Sequence, residues 1–257
     1  MIIIRNLIVA FSLFSRIPVP SFEWKDSDMK YNLVFLPWVG AVIGALAYLA
    51  AYASMLLKLP EIPRLLLLST VPLLVTGGFH VDGFLDVKDA LSSYKPREEK
   101  LRILKDPHIG AFAVIGLLIF SLLWGAALFS AGLLENAGCL LLFCLEFYTV
   151  RCISALCALT FKHARSDGML SMETKHADRG SVIALSVELL TGITAMLFAD
   201  TVPALFMTAG LGLFTLYYRR LCYKQFGGVT GDTAGYFVCA GELVCLIMLA
   251  VGNLIAI

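Results

Sequence analysis

Apolar residues run along this chain in long blocks separated by short polar stretches. Seven blocks stand out: 32–57, 65–79, 109–133, 137–161, 181–199, 202–218 and 233 to the C-terminus. A helix that crosses a bilayer needs about 20 mostly apolar residues. Each block therefore predicts a span, although 65–79 is short, with Pro72 inside it and Gly77-Gly78 at its end. In the first block Gly40 and Gly44 lie four apart, a small-xxx-small face suited to close helix packing. Residues 1–20 are apolar with Arg5 and Arg16. They lack a basic region ahead of the first apolar residues and a small-x-small cleavage site, so they predict an interfacial or re-entrant helix ending at Pro18 rather than a cleaved signal. No repeat or low-complexity linker interrupts the pattern. The predicted fold class is all-α: one integral membrane domain over 1–257, a transmembrane helix bundle of about seven spans (roughly six to eight) plus the N-terminal helix.

Composition supports lipid as the solvent. The chain is 59% hydrophobic and 15% charged, against about 45–50% and 25% in soluble domains, and its mean hydropathy is +0.85. The net charge of +1 decides nothing, but the placement of the charges does. If every block crosses once, 17 of the 20 Lys and Arg fall on one side and only Lys58 and Arg64 on the other, with Arg151 inside a block. Basic loops mark the cytoplasmic side, so that side and the N-terminus are expected to be cytoplasmic. The seven cysteines lie mostly in apolar runs without a CxxC pair; they read as small hydrophobes, not as disulfides or zinc ligands.

Polar residues cluster where chemistry is expected. In Gly77-Gly-Phe-His-Val-Asp-Gly-Phe-Leu-Asp-Val-Lys-Asp89, the carboxylates Asp82, Asp86 and Asp89 share one helical face. They repel one another unless a cation sits among them, and Mg²⁺ takes such oxygen ligands together with substrate phosphates. A solvated helix extension is the plain alternative. His80 could orient a carboxylate, touch substrate, or be an interfacial histidine with its bonds satisfied. Gly227-Gly-Val-Thr-Gly-Asp-Thr-Ala-Gly235 opens the last block on the same side. Its glycines permit a turn whose N–H groups face an anion; Thr230 or Asp232 could cap the helix, and Asp232 could complete a metal site. In Lys105-Asp-Pro-His-Ile-Gly110, Asp106 and Pro107 read as a helix start, which leaves Lys105 and His108 as phosphate contacts. Glu146 and Arg151 lie within one block, where ionisable groups face the bundle interior and pair. The polar stretch 162–180 reads as a lid, a phosphate-binding loop, or a basic loop attracted to anionic lipid.

These motifs resemble the cobalamin synthase family, the adenosylcobinamide-GDP ribazoletransferases. The likeness rests on Arg16-Ile-Pro18, Gly77-Gly-x-His-x-Asp-Gly-x-x-Asp-x-x-Asp89, Lys105-Asp-Pro-His-x-Gly110 and Gly227-Gly-x-Thr-Gly-Asp-x-x-Gly235. The resemblance implies a multi-pass inner-membrane enzyme with a cytoplasmic site that joins adenosylcobinamide-GDP to α-ribazole or its 5′-phosphate, releases GMP and needs Mg²⁺. It implies that Asp82, Asp86, Asp89 and Asp232 hold the metal, and that Asp82 or another of these carboxylates, or His80, takes the hydroxyl proton. Arg16, Lys105, His108, Gly228 and Gly231 are then substrate contacts. The partners implied are corrinoid and nucleotide small molecules and the lipid bilayer, with a homo-oligomer or other cobalamin-assembly enzymes as protein partners and no nucleic acid. The aspartate spacing also looks like the CDP-alcohol phosphotransferases, but Asp86-Val87 stands where that pattern has Ala-Arg. A transporter would instead carry its ionisable groups near the bilayer midplane in paired broken helices.

Overall fold

A computed structural model describes residues 2–256, which form eleven α-helices and, among the described residues, no strand beyond the isolated bridge between His163 and Val229. The helices are α1 (Ile2–Phe14), α2 (Leu36–Leu56), α3 (Glu61–Thr76), α4 (Phe79–Ser92), α5 (Arg97–Ile103), α6 (Ala111–Ser130), α7 (Ala137–Thr160), α8 (Met169–Thr174), α9 (Arg179–Ala199), α10 (Thr201–Gln225) and α11 (Gly231–Ala256). Six of them, α2, α6, α7, α9, α10 and α11, are long and apolar enough to cross a bilayer; the bent pair α3–α4 makes up to seven. Leucines exposed on α6, α9 and α10, such as Leu118, Leu122, Leu190 and Leu213, form the outer surface. In a bilayer that surface meets lipid without penalty.

Helices α7 and α11 are the most enclosed. The predicted small-residue face of α2 packs on α7: a Cβ on Gly40 or Gly44 would strike the carbonyls of Phe147 or Cys144. All seven cysteines are free and buried. Inside the bundle Arg151 Nη1 donates to Glu242 Oε1 at 2.6 Å. Arg151 thus takes a structural partner, as expected of an ionisable group within a span, and the partner is not Glu146. Five residues along a helix turn the side chain by about 140°; Glu146 stays within electrostatic reach of Arg151 and Glu242, but neither of its oxygens has a hydrogen-bond partner among the described residues.

Two further expectations are corrected. The N-terminal helix stops at Phe14 rather than Pro18; the chain then turns so that the Arg16 N–H donates to the Val75 carbonyl at 2.7 Å. The short block 65–79 does not run on straight into the helix that carries the aspartates. Gly77 (φ +63°) and Gly78 (φ +82°) both adopt the left-handed conformation, where a Cβ is costly. They end α3 and start α4 with a 93° bend. The new direction lays α4 against α11 and α6. A Cβ on Gly83 would lie 2.7 Å from the Asp232 carbonyl oxygen, and one on Gly235 would lie 3.0 Å from that of His80. Glycine is what lets these two backbones approach. On the other flank Phe84 stacks with Tyr236 and packs against Phe120, which stacks on Trp124.

Candidate active site

The close approach of α4 and α11 sets the site. Asp86 lies within electrostatic reach of Asp82, Asp89 and Asp232, so the stripe predicted on α4 does meet the aspartate of the glycine-rich loop. Asp89 sits a turn further out, against Gly110, where a Cβ would strike its carboxylate. Among the described residues no three Asp, Glu, His or Cys side chains stand at metal-holding distances. The donor set is nonetheless all carboxylate oxygen, crowded with like charge and close to glycine backbone. That suits a hard cation held by a few carboxylates plus water and phosphate oxygens.

The loop that carries Asp232 is built by its own hydrogen bonds. The Thr230 N–H donates to Thr233 Oγ1 at 2.8 Å and the Thr233 N–H to Thr230 Oγ1 at 3.2 Å, a reciprocal cap on the start of α11. Thr230 is therefore the cap, and the Asp232 carboxylate caps no helix N–H; it accepts from the Thr230 hydroxyl at 3.3 Å. Gly228 leads into the bridge between Val229 and His163, where the Val229 N–H donates to the Lys162 carbonyl and the Ala164 N–H to the Val229 carbonyl. A Cβ on Gly228 would strike Lys162 and His163, whereas Gly231 faces open space.

Arg16 packs over Gly77, where a Cβ would collide with its side chain. Arg16, Gly77, Gly78 and Asp82 line one cavity of about 580 Å³. Lys105 and His108 stand further out. Lys105 pairs with Asp167 at 3.2 Å and His108 Nδ1 lies 2.7 Å from Asp106, both at the exposed surface. Asp106 is not the start of a helix: its carboxylate accepts from the His108 N–H, and α6 begins only at Ala111 after Gly110. His80 does not share the acidic face, because two residues along a helix turn the side chain by about 200°. It is buried, and its Nε2 has no hydrogen-bond partner among the described residues.

Two arginines join the site: Arg165 belongs to the stretch 162–180 that reads from the sequence as a lid, a phosphate-binding loop or an ordinary basic loop, and Arg97 was not singled out. Arg165, in the loop after α7, pairs with Asp232 at 3.6 Å. With Thr230 and Gly231 they line a small polar cavity of about 100 Å³. Arg97, at the start of α5, covers Gly227, where a Cβ would strike its guanidinium. An ordinary basic loop has the same composition as one that folds onto a site, so only the tertiary contact identifies these two.

Fold and site together define a polytopic membrane enzyme that handles polar groups at one end of its helix bundle. The sequence pattern of the cobalamin-5-phosphate synthase family, CobS, matches residues 6–250. The chain therefore belongs to that family of enzymes of cobalamin synthesis. Relatives named adenosylcobinamide-GDP ribazoletransferase include one from Lachnoclostridium phytofermentans, 37% identical over 94% of this chain and 91% of its own. Others come from Shewanella pealeana, 32% identical over 95% and 93%, and from Listeria monocytogenes, 32% identical over 95% and 97%. No solved structure matches the chain.

Proposed function

We propose that this chain transfers the phosphocobinamide group of adenosylcobinamide-GDP to the ribose hydroxyl of α-ribazole or its 5′-phosphate, releasing GMP, at the end of the bundle where α4 meets α11. The observation that carries the reading is the meeting of Asp82 and Asp86 with Asp232 beside Arg165, in a family whose relatives bear the name of this reaction. Asp82, Asp86 and Asp232, with Asp89 a turn outward, would hold Mg²⁺, which supplies positive charge to the donor diphosphate. Arg165 and Arg16, with the open backbone at Gly231, would bind phosphate oxygens; the N–H groups of Gly228, Val229 and Thr230 already donate to the carbonyls of Cys222 and Lys162 and to Thr233 Oγ1. Most of the rate in such a reaction comes from positioning and charge neutralisation. The acceptor oxygen bonds to the phosphorus on the cobinamide side, its proton passes to a carboxylate of α4, foremost Asp82, and the bond from that phosphorus to GMP breaks. His80, buried on another face of the helix, is better placed to hold the acceptor than to take this proton. Lys105 and His108 contact substrate only at the outer rim.

The site belongs on the cytoplasmic side of the cell membrane, where the basic loops and charged nucleotide donors meet. The test is GMP release by purified, detergent-solubilised protein given adenosylcobinamide-GDP, α-ribazole and Mg²⁺, with EDTA and with CDP-diacylglycerol plus an alcohol as parallel reactions. Release that needs both the ribazole and the metal is expected. Reaction of the lipid pair alone would overturn the assignment.

A further inference from the structure

A cavity of about 450 Å³ lies between α3 and α6, behind the acidic face of α4. Its rim includes Leu66, Leu73 and Phe129, which are exposed on the bilayer-facing surface, so it opens sideways. Its walls are apolar and partly aromatic: Phe120 and Trp124 stack at 5.8 Å between centroids and both line it. At its inner end stand His80 and the Arg151–Glu242 pair. His80 Nε2 and Arg151 Nε are buried, in side chains more than nine-tenths enclosed, and neither has a hydrogen-bond partner among the described residues. Buried donors without partners are costly. A largely apolar cavity of this size with a few convergent polar groups is the usual form of a small-molecule site.

Resting on the reading above, we propose that this cavity is the subsite for the aromatic base of the ribazole acceptor. A lipid chain would suit the walls but would leave His80 Nε2 without a partner. A flat nitrogen heterocycle suits the walls and the histidine: it packs along the wall formed by the stacked Phe120 and Trp124, and its free ring nitrogen accepts a hydrogen bond from His80 in the tautomer protonated at Nε2. The connection to the reacting end is direct. The cavity shares Leu73, Thr76 and Val81 in its wall with the one that holds Arg16 and Asp82. An acceptor with its base here extends its sugar past Val81 toward the carboxylates. His80 is then the residue that recognises the acceptor.

Gly125 gives the test, because it lines the cavity and a Cβ added to it meets nothing within 4 Å. In Gly125→Leu, and independently in Ser121→Leu, the KM for α-ribazole is expected to rise roughly 10-fold or more, the scale on which pocket shape discriminates. The KM for adenosylcobinamide-GDP should stay within about 2-fold, since the donor does not use this cavity. Calorimetric binding of α-ribazole to the protein without donor or metal is expected for the wild type and should weaken in both variants. Unchanged acceptor KM and binding in folded variants would overturn the subsite, and loss of co-purified phospholipid in those variants would then assign the cavity to lipid. If the wild type binds α-ribazole in this way but does not turn over, the subsite stands and the transfer reading fails. If it neither binds nor turns over, both fail.

Discussion

At the residue scale the carboxylates and the buried charges do different work. Asp82→Asn keeps the shape of α4 but removes a negative charge from the group that meets Asp86 and Asp232. Turnover is expected to fall by about 100-fold or more, in keeping with the loss of a group that acts in the transition state, while the thermal midpoint in detergent stays the same or rises as repulsion is relieved. Unchanged Mg²⁺-dependent turnover would remove Asp82 from the site. Glu242→Gln should behave in the opposite way. It leaves the Arg151 guanidinium buried without its counter-charge, so a stability loss of about 3–5 kcal/mol is expected, read from thermal unfolding. Glu173 on α8 offers a pH-dependent case. It is buried in the wall of a small cavity that also holds His80, one of its oxygens has no partner, and burial pushes its carboxyl up to about 7. Its ordinary value is 4.5. Between 4.5 and 7 the folded protein keeps a proton that the unfolded chain has lost, so this contribution to stability is whole at low pH and declines as pH rises toward 7. Hydrogen exchange over 165–178 should therefore speed up from pH 5 to pH 8 in the wild type and depend less on pH, beyond intrinsic chemistry, in Glu173→Gln.

At the scale of elements, the glycines decide how α4 meets its neighbours. Gly83→Ala places a Cβ 2.7 Å from the Asp232 carbonyl oxygen, and backbone cannot give way as a side-chain tip does. The two helices must part, at a cost of roughly 1–3 kcal/mol. Activity is expected to fall with it, because Asp82 and Asp232 sit on the separated elements; wild-type activity in this variant would mean that the site does not depend on the α4–α11 contact. Most elements were legible in the sequence because lipid demands long apolar helices, and the blocks at 109–133, 137–161 and 181–199 match α6, α7 and α9 closely. The acidic stripe was legible too, since its spacing is that of a helix face. The 93° bend was not. Gly77-Gly78 announces a break but not its direction, which is set by the packing of α4 on α11. Asp106-Pro107 carries the signature of a helix start, yet the Asp106 carboxylate closes a local turn onto His108 instead. Arg151 and Glu242 lie 91 residues apart, and no local pattern links them.

For the whole molecule, the long-range contacts sort the loops by end. Lys30 at the entry to α2 pairs with Asp178 at the entry to α9. Arg165 after α7 pairs with Asp232 at the entry to α11, and Lys105 before α6 pairs with Asp167. Lys100 on α5 donates to Gln225 at the end of α10. All these basic loops gather at the end that carries the aspartates. Asn136 and Asp200 meet at the other end, where α7 and α10 begin, and the turn that holds Lys58 leads from α2 to α3. One end is thus rich in Lys and Arg and the other nearly free of them, the asymmetry expected if the first end faces the cytoplasm. Tyr94, 92% exposed between α4 and α5, and Lys58 are suitable reporters, because the native cysteines are all buried. In intact spheroplasts, a membrane-impermeant maleimide should label Lys58→Cys and leave Tyr94→Cys unlabelled until the membrane is opened. Labelling of Tyr94→Cys alone in intact cells would invert the protein, and would put its carboxylates on the side that lacks cytosolic nucleotide donors. Labelling of both would contradict the passage of the bent α3–α4 pair from one end of the bundle to the other.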